Sequence, residues 1–256
     1  MTLILTELSG RGITMAADSA ITLRNRQTGL FYISHERAKK LQEIPYLNAG
    51  ISCWGMGQID TKSTDKWLSD FIQSNSGIET LSEFAEKLVS KLNDLIPNND
   101  NGEPRLGFHL SGFEKNNDQE PIPSFYHIHD GPSEVLRDRE IDINSNQFNA
   151  NHDMPPLIFK RDILSQRKAY ITRNGDYTLY AQLFNGIETF LRSIANDGII
   201  IPHSIDLEDR AEYLVFQIRT MAELYRLSNL VPGIGGAIDY LTIDSNGIHS
   251  SGTRYQ

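Results

Sequence analysis

The stretch TLILTELSGRGITMAADS, residues 2–19, decides how this chain is interpreted. Its two apolar runs, residues 3–8 and 13–18, are separated by the small turn SGRG at residues 9–12. Apolar segments of strand length on either side of a glycine-containing turn predict a β-hairpin. Because the second run ends in Ala-Ala-Asp-Ser, the predicted hairpin carries an acidic side chain, Asp18, at its end.

The composition is that of an ordinary globular protein. Hydrophobic residues make up 39% of the 256 residues, which is enough for a sizeable core. The net charge of -9 argues against nucleic acid or an anionic membrane as a partner. Cys53 is the single cysteine, which fits a reducing compartment, and no apolar run approaches the roughly 20 residues needed to cross a bilayer. The first residues lack the basic leader of a secretory signal, so we expect a cytoplasmic protein without a membrane anchor.

The apolar pattern predicts a single domain over residues 1–256. Helices are predicted at about 60–73, 80–96, 176–196 and 206–226. Strands are predicted in LQEIPYLNAGISCWG, RLGFHLSGFE, SFYHIHDG and GGAIDYLTIDSNGIHSSG. Residues 133–169 are polar and irregular and are interpreted as an insertion. This order of strands and helices predicts sheets packed between helical layers.

Thr2 is a candidate nucleophile, provided that Met1 is removed. Removal would leave a hydroxyl and a free amine on one residue, and threonine is small enough to permit the excision. An α-amine has an unperturbed pKa of about 7.7–8.0, so much of it is neutral near neutral pH and can accept the hydroxyl proton. An acylated amine is not a base, so this chemistry requires the loss of Met1.

The hairpin stretch resembles the amino-terminal hairpin of mature proteasome β-subunits and of the bacterial peptidase HslV, which are N-terminal nucleophile (Ntn) hydrolases. In that family a first-position threonine is followed by a strand, a glycine turn, a second strand and AAD[ST]. KKLQEIPYLNAG resembles the family's lysine-bearing strand, and SCWGMGQID its glycine turn. The resemblance implies Thr2 as nucleophile, Asp18 and Lys40 as supporting charges with Lys39 as the near miss, and the Gly55 N–H as oxyanion donor.

The charges implied by the resemblance suit the chemistry. A lysine beside the threonine lowers the cost of forming an alkoxide, and an aspartate keeps that lysine charged and in position. From the residues alone, Asp18 and Lys40 also fit surface charges at strand ends, and Gly55 also fits the end of a strand. These alternatives stay open at this point.

The resemblance extends to fold, activity and assembly. It implies an α+β fold, a four-layer αββα sandwich of the Ntn-hydrolase type. It further implies a threonine peptidase that acts on peptides or unfolded proteins without a cofactor or metal. A homo-oligomeric ring is implied as well, and an ATPase is a candidate partner that the sequence leaves open.

The sequence departs from the family pattern near its end. Active β-subunits place Asp-x-x-Ser before the paired glycines, whereas Gly235 and Gly236 follow LVPGI here. Ser228 and Asn229 are the nearest substitutes, and Asn174 is a loose candidate for a second supporting serine. Two alternatives therefore remain open, a catalytically silent proteasome-like scaffold or ring subunit and an Ntn amidohydrolase acting on a small amide.

Two other features are weighed and given structural interpretations. His127 and His129 would share one face of a strand, a spacing that can bind a metal, but Asp130 is the only carboxylate close in sequence. We interpret them as edge-strand histidines and predict no metal site. Cys53, beside Trp54, is predicted to be a small core residue.

Overall fold

A computed structural model describes most of the chain. The described residues are 2–25, 27–97, 105–115, 121–130, 147–152, 169–175, 183–184, 186–187, 189–190, 193, 206–228 and 233–255. The helices are α1 (Thr64–Ser74), α2 (Leu81–Leu95) and α3 (Leu207–Leu227), and a single 3-10 turn spans Pro45–Leu47. The strands are β1 (Leu3–Ser9), β2 (Gly12–Asp18), β3 (Ala20–Arg24), β4 (Phe31–Arg37), β5 (Leu41–Ile44), β6 (Ala49–Gly55), β7 (Gln58–Ile59), β8 (Lys62–Ser63), β9 (Leu106–Lys115), β10 (Pro121–His129), β11 (Asn149–His152), β12 (Ala169–Gly175), β13 (Ile238–Asp244) and β14 (Gly247–Arg254).

Two five-stranded sheets form the centre of the molecule. The first sheet has the strand order β12-β1-β2-β13-β14, and the second has the order β11-β10-β9-β6-β5. Every described pair of neighbouring strands is antiparallel. The predicted hairpin is confirmed, because β1 and β2 pair from Ile4 opposite Ala17 to Ser9 opposite Gly12. Since β2 lies between β1 and β13, all seven of its residues are buried.

Alternation along the strands gives each sheet two apolar faces. Ile4, Leu8, Ile13 and Met15 belong to a buried cluster that also contains Leu41 and Phe125 of the second sheet, so these faces of the two sheets pack together. The other face of the first sheet packs against α3, and the other face of the second packs against α1 and α2. Three contiguous clusters therefore make up the core of the described residues.

The helices begin where the sequence supplies a capping side chain. Thr80 accepts a hydrogen bond from the Glu83 N–H at 3.1 Å at the start of α2. Asp206 accepts one from the Asp209 N–H at 3.0 Å at the start of α3. Such side chains satisfy amide groups that have no partner within the helix. The predicted helices at 80–96 and 206–226 are confirmed to within one residue, and the one at 60–73 begins four residues later than predicted.

Although helices cover the outer faces of the two large sheets, the predicted four-layer αββα sandwich is wrong as the fold class of the described residues. The described residues are mostly antiparallel β-sheet, and they form four sheets together with three continuous helices. Two small sheets, β3–β4 and β7–β8, have no place in the predicted scheme. They arise because segments that look like polar loops in the sequence pair with each other as strands.

Two of the sequence predictions fall largely outside the described residues. Of the helix predicted at 176–196, the described residues 183, 184, 186, 187, 189, 190 and 193 are helical. Of the insertion predicted at 133–169, residues 147–152 are described, and Asn149–His152 adds a strand to the edge of the second sheet beside β10. Among the described residues, the structure has no helix with the length and hydropathy needed to span a membrane.

Candidate functional site

A cleft opens where β1 begins and β6 ends. Thr2, Lys40 and Gly55 all line this cleft, which has a cavity volume of about 130 Å³. Thr2 is buried there, just before the first residue of β1. Gly175 of β12 lies opposite Leu3 with φ of 108°, and a side chain at Gly175 would overlap the Thr2 carbonyl oxygen. A glycine is therefore needed at position 175 for Thr2 and Leu3 to lie beside β12, and this requirement is not visible in the sequence.

Asp18 lies at the end of β2 and is completely buried. Its Oδ1 accepts hydrogen bonds from the Leu3 N–H at 2.9 Å and from Lys40 Nζ at 3.0 Å. Its Oδ2 accepts from the N–H groups of Ala20 at 3.1 Å and Gly235 at 3.3 Å. Four donors from four parts of the chain thus converge on one carboxylate. Such convergence is what a buried charge requires to remain charged.

Lys40 directly precedes β5 and brings the positive charge to this carboxylate. The residue is 6% exposed, and its carbonyl accepts a hydrogen bond from the Cys53 N–H at 2.9 Å, which ties it to β6. The predicted ion pair with Asp18 is present at 3.0 Å. Lys39 is exposed and contributes its backbone N–H to Asp65 instead. Of the two adjacent lysines, the structure thus brings Lys40 to Asp18 and into the cleft with Thr2.

Gly55 ends β6 at the wall of the cleft. Its φ is 95°, in the left-handed region, and a side chain there would overlap the carbonyl oxygen of Arg105. The next residue, Met56, donates its N–H to that same carbonyl at 2.9 Å. The chain thus turns away from the second sheet at a position that only glycine fits, and it turns along the cleft. The role of the Gly55 N–H toward an oxyanion stays a prediction.

The cleft also contains two residues to which the sequence interpretation gave no role there. Cys53 is buried beside Lys40, and burial raises the pKa of its thiol to about 12, although the charge of Lys40 acts in the opposite direction. Asp65, in the first turn of α1, lines the cleft as well. Burial acts to raise the pKa of Asp65, but hydrogen bonds from Ser63, the Lys39 N–H and the Lys66 N–H outweigh it and lower that pKa. The sequence gave no indication that Asp65 reaches the cleft, because a loop and two short strands separate it from Gly55.

The candidate substitutes for the missing Asp and Ser lie elsewhere or outside the described residues. The Ser228 hydroxyl donates to the Tyr225 carbonyl at 3.0 Å at the end of α3, and Asn229 is outside the described residues. Asn174 Oδ1 is 2.6 Å from Nε2 of His109. The position before Gly236 is used through its backbone, because the Gly235 N–H is one of the donors to Asp18.

The histidines predicted to lie on an edge strand are inside the molecule. β10 has β9 on one side and β11 on the other, so His127 and His129 lie on an interior strand. His127 is opposite His109 in the register, with ring centroids 5.3 Å apart. Burial lowers the pKa of His109 to about 4 and that of His127 to about 2. The structure shows no grouping of His, Cys, Asp and Glu suited to a metal ion in the part of the chain that it describes.

Two solved structures with a similar fold are both Anbu proteins. An Anbu (Gly-1) mutant from Hyphomicrobium sp. strain MC1 matches with a TM-score of 0.54 and 14% sequence identity, over 100% of this chain and 88% of the other. Anbu (ancestral beta-subunit) from Yersinia bercovieri matches with a TM-score of 0.53 and 11% identity, over 99% and 87% of the two chains. Neither a comparison with protein families nor one with curated proteins gives a match.

At these identities the similarity describes the fold alone. The chain shares the fold of a protein named as an ancestral beta-subunit, so the resemblance deduced from the hairpin is confirmed in part, at the level of a proteasome-like fold. The catalytic roles of Thr2, Asp18, Lys40 and Gly55 stay predictions.

Proposed function

We propose that this protein is a proteasome-like threonine peptidase with Thr2 as its nucleophile after removal of Met1. One observation carries the proposal. A fully buried Asp18 holds the ammonium group of Lys40 at 3.0 Å in the wall of the cleft that Thr2 also lines. A buried ion pair is costly to form, and a purely structural role would be served as well by apolar side chains. A cation held beside a threonine is what activation of its hydroxyl requires.

The proposed reaction begins with attack of the Thr2 hydroxyl oxygen on the scissile carbonyl. The free α-amine of Thr2 takes the hydroxyl proton, while Lys40 favours the developing alkoxide and Asp18 keeps Lys40 in place. The Gly55 N–H donates to the oxyanion of the tetrahedral intermediate. The protonated amine then passes its proton to the leaving amine, which departs and leaves an ester on Thr2. Water hydrolyses this ester with the same amine as base.

Substrate and assembly are part of the proposal. We expect peptides or unfolded protein segments as substrates, in a cytoplasmic homo-oligomer. The name of the Yersinia protein, ancestral beta-subunit, describes that protein as one subunit of an assembly. The homo-oligomeric ring, and an ATPase as a candidate partner, are proposed from the resemblance of the hairpin to proteasome β-subunits and HslV.

A catalytically silent scaffold is the second candidate function. It is favoured by the position of Ser228, whose hydroxyl is bonded to the end of its own helix. The residues LVPGI before Gly235 likewise supply neither the Asp nor the Ser found in active β-subunits. If those groups are essential, the chain keeps the fold and the charge pair without turnover.

A peptide epoxyketone tests the proposal, because it needs both a threonine hydroxyl and a free amine. We expect intact-mass measurement to show a chain without Met1 that gains one inhibitor mass. Thr2→Ala should abolish both the labelling and the cleavage of fluorogenic peptides, whereas Thr61→Ala, at an exposed threonine, should leave them within about twofold of wild type. Lys40→Ala should slow both strongly.

The outcomes separate the candidate functions. A mass that retains Met1 removes the base and contradicts the peptidase. A chain that lacks Met1 but shows neither labelling nor cleavage supports the scaffold. Hydrolysis of small amides without cleavage of peptides would identify an amidohydrolase that uses the same nucleophile.

A further inference from the structure

The charges in the cleft and directly behind its wall do not balance. Among the described residues that line it, Lys40 and Asp65 are the two with formal charges. The charge of Lys40 is compensated from behind by Asp18, which is fully buried and outside the lining. Asp65 therefore leaves the cleft with one net negative charge.

Asp65 is held in a fixed position and in its charged form. Its Oδ2 accepts from the Lys39 N–H at 3.2 Å and its Oδ1 from the Lys66 N–H at 2.9 Å. Hydrogen bonds to a carboxylate favour its ionised form, which agrees with the lowered pKa of this group. In the part of the chain that the structure describes, no lysine, arginine or histidine side chain forms an ion pair with Asp65. The ammonium groups of Lys39 and Lys66 belong to exposed residues, and these residues bind Asp65 through their backbones.

The rest of the lining suits an aliphatic stem. The largely apolar side chains in it are Ala20, Ile21, Ala38, Cys53, Trp54 and Met56. Lysine and arginine side chains bury such stems against apolar surface while their charged ends seek a partner. A carboxylate can accept up to about four hydrogen bonds, so Asp65 retains capacity for an incoming cation.

We infer that Asp65 is a specificity-determining residue that makes the cleft select substrates with a lysine or arginine side chain at the residue bound next to Thr2. This inference rests on the proposed function, since it names the substrate class of the same site. The cationic end pairs with Asp65, and the stem packs against the apolar walls. An acidic side chain is disfavoured by repulsion from the same carboxylate.

The test compares fluorogenic peptides that differ only at the residue before the scissile bond, which is Arg, Leu or Glu. We expect kcat/KM to fall in that order. A hydrogen-bonded charge pair in a partly buried site corresponds to roughly a tenfold to hundredfold preference of Arg over Leu. Asp65→Asn keeps the shape of the side chain and its acceptor oxygen, and we expect it to reduce the Arg-to-Leu ratio by at least about tenfold. Asp65→Lys should move the preference toward Glu.

Asp70→Asn is the matched control, because Asp70 is an exposed aspartate further along α1 that pairs with Lys62 outside the cleft. It should leave the Arg-to-Leu ratio unchanged. Equal kcat/KM for Arg and Leu in the wild type, or an unchanged ratio in Asp65→Asn, would overturn the inference while leaving the peptidase proposal intact.

A binding measurement tests the same inference without turnover. The probe is p-aminobenzamidine, an aromatic amidinium whose fluorescence rises in an apolar site, and neutral 4-aminobenzamide is its control. We expect saturable binding of the amidinium by the wild type and by Asp70→Asn, and binding at least about tenfold weaker in Asp65→Asn. If the amidinium binds in this way but no peptide is cleaved, Asp65 is confirmed as the group that binds a cation in the cleft, and the peptidase proposal fails. If the wild type prefers neither the amidinium nor an Arg peptide, the inference fails.

Discussion

Two polar groups of residues are buried beside the same pair of sheets, and they differ in charge. At the end next to the cleft, Asp18 and Lys40 are buried as an ion pair. Further along the second sheet, the His109 and His127 rings meet edge to face with centroids 5.3 Å apart, and the His127 and His129 rings meet at a tilt with centroids 4.5 Å apart. One group retains its charges, and in the other the pKa values of His109 and His127 are lowered so far that these rings are neutral at neutral pH.

The partners of each group explain the difference. Asp18 receives three backbone N–H donors and an ammonium group, enough to replace the water that it loses. His109 has neutral partners, the Thr6 hydroxyl at 3.0 Å and the Asn174 amide oxygen at 2.6 Å. Because an amide oxygen can only accept, Nε2 of His109 carries the proton and Nδ1 accepts from Thr6. A buried charge is thus maintained where a catalytic role is proposed, and it is avoided in the interior between the sheets.

The largest expected effect concerns the charged group. Asp18→Ala leaves the Lys40 ammonium buried without its counter-ion and removes the acceptor of three amide groups, so the free energy of unfolding should fall by about 3–5 kcal/mol. Urea unfolding at pH 7.5 measures this loss, and labelling of Thr2 by an epoxyketone should disappear with it. A loss below about 1 kcal/mol would show that the pair is hydrated and that the contrast with the histidines is wrong.

A smaller effect per residue is expected from the histidines on acidification. Their pKa values are lower in the folded protein than the usual 6.5, so the unfolded chain binds more protons between about pH 6.5 and pH 4. Their stabilising contribution is therefore complete above pH 6.5 and is lost as the pH falls. From pH 7.5 to pH 5.0 the free energy of unfolding should drop by about 2 kcal/mol for each of His109 and His127.

His109→Gln tests whether the histidines cause the loss of stability on acidification, because it removes one titrating ring and retains a polar side chain. The drop between the two pH values should become smaller by about 2 kcal/mol in this variant. His249→Gln alters an imidazole that is about half exposed on β14 and should leave the drop unchanged. An equal drop in His109→Gln and in the wild type would assign the acid sensitivity to other groups.

The smallest effect is expected at an ion pair on the surface. Lys62 and Asp70 form a salt bridge in which both side chains are about half exposed. Asp70→Ala should change the free energy of unfolding by less than about 0.5 kcal/mol, since solvent screens such pairs and each partner can be hydrated alone. If this variant loses as much stability as Asp18→Ala, burial does not determine how much an ion pair of this protein contributes to stability.

Several features could be predicted because they depend on neighbours in the sequence. The first hairpin, α2 and α3 follow from local apolar periods, a glycine turn and capping residues. The approach of Lys40 to Asp18 was deduced from a motif resemblance, although 22 positions separate the two residues. The β3–β4 hairpin was missed, because its strands expose Leu23, Phe31 and Tyr32 and have no alternating buried face to reveal them.

The sequence by itself determined the residue types of the proposed chemistry, the hairpin that carries Thr2 and Asp18, and the proteasome-like resemblance, because each of these is written in short contiguous segments. Only the tertiary structure decided that the Gly235 N–H binds Asp18, that Gly175 seats Thr2 and that Asp65 reaches the cleft. It also decided that the described residues form four sheets, where the αββα scheme has two. These features depend on backbone groups and strand pairings between distant parts of the chain, and no local pattern of side chains records which backbone groups will meet.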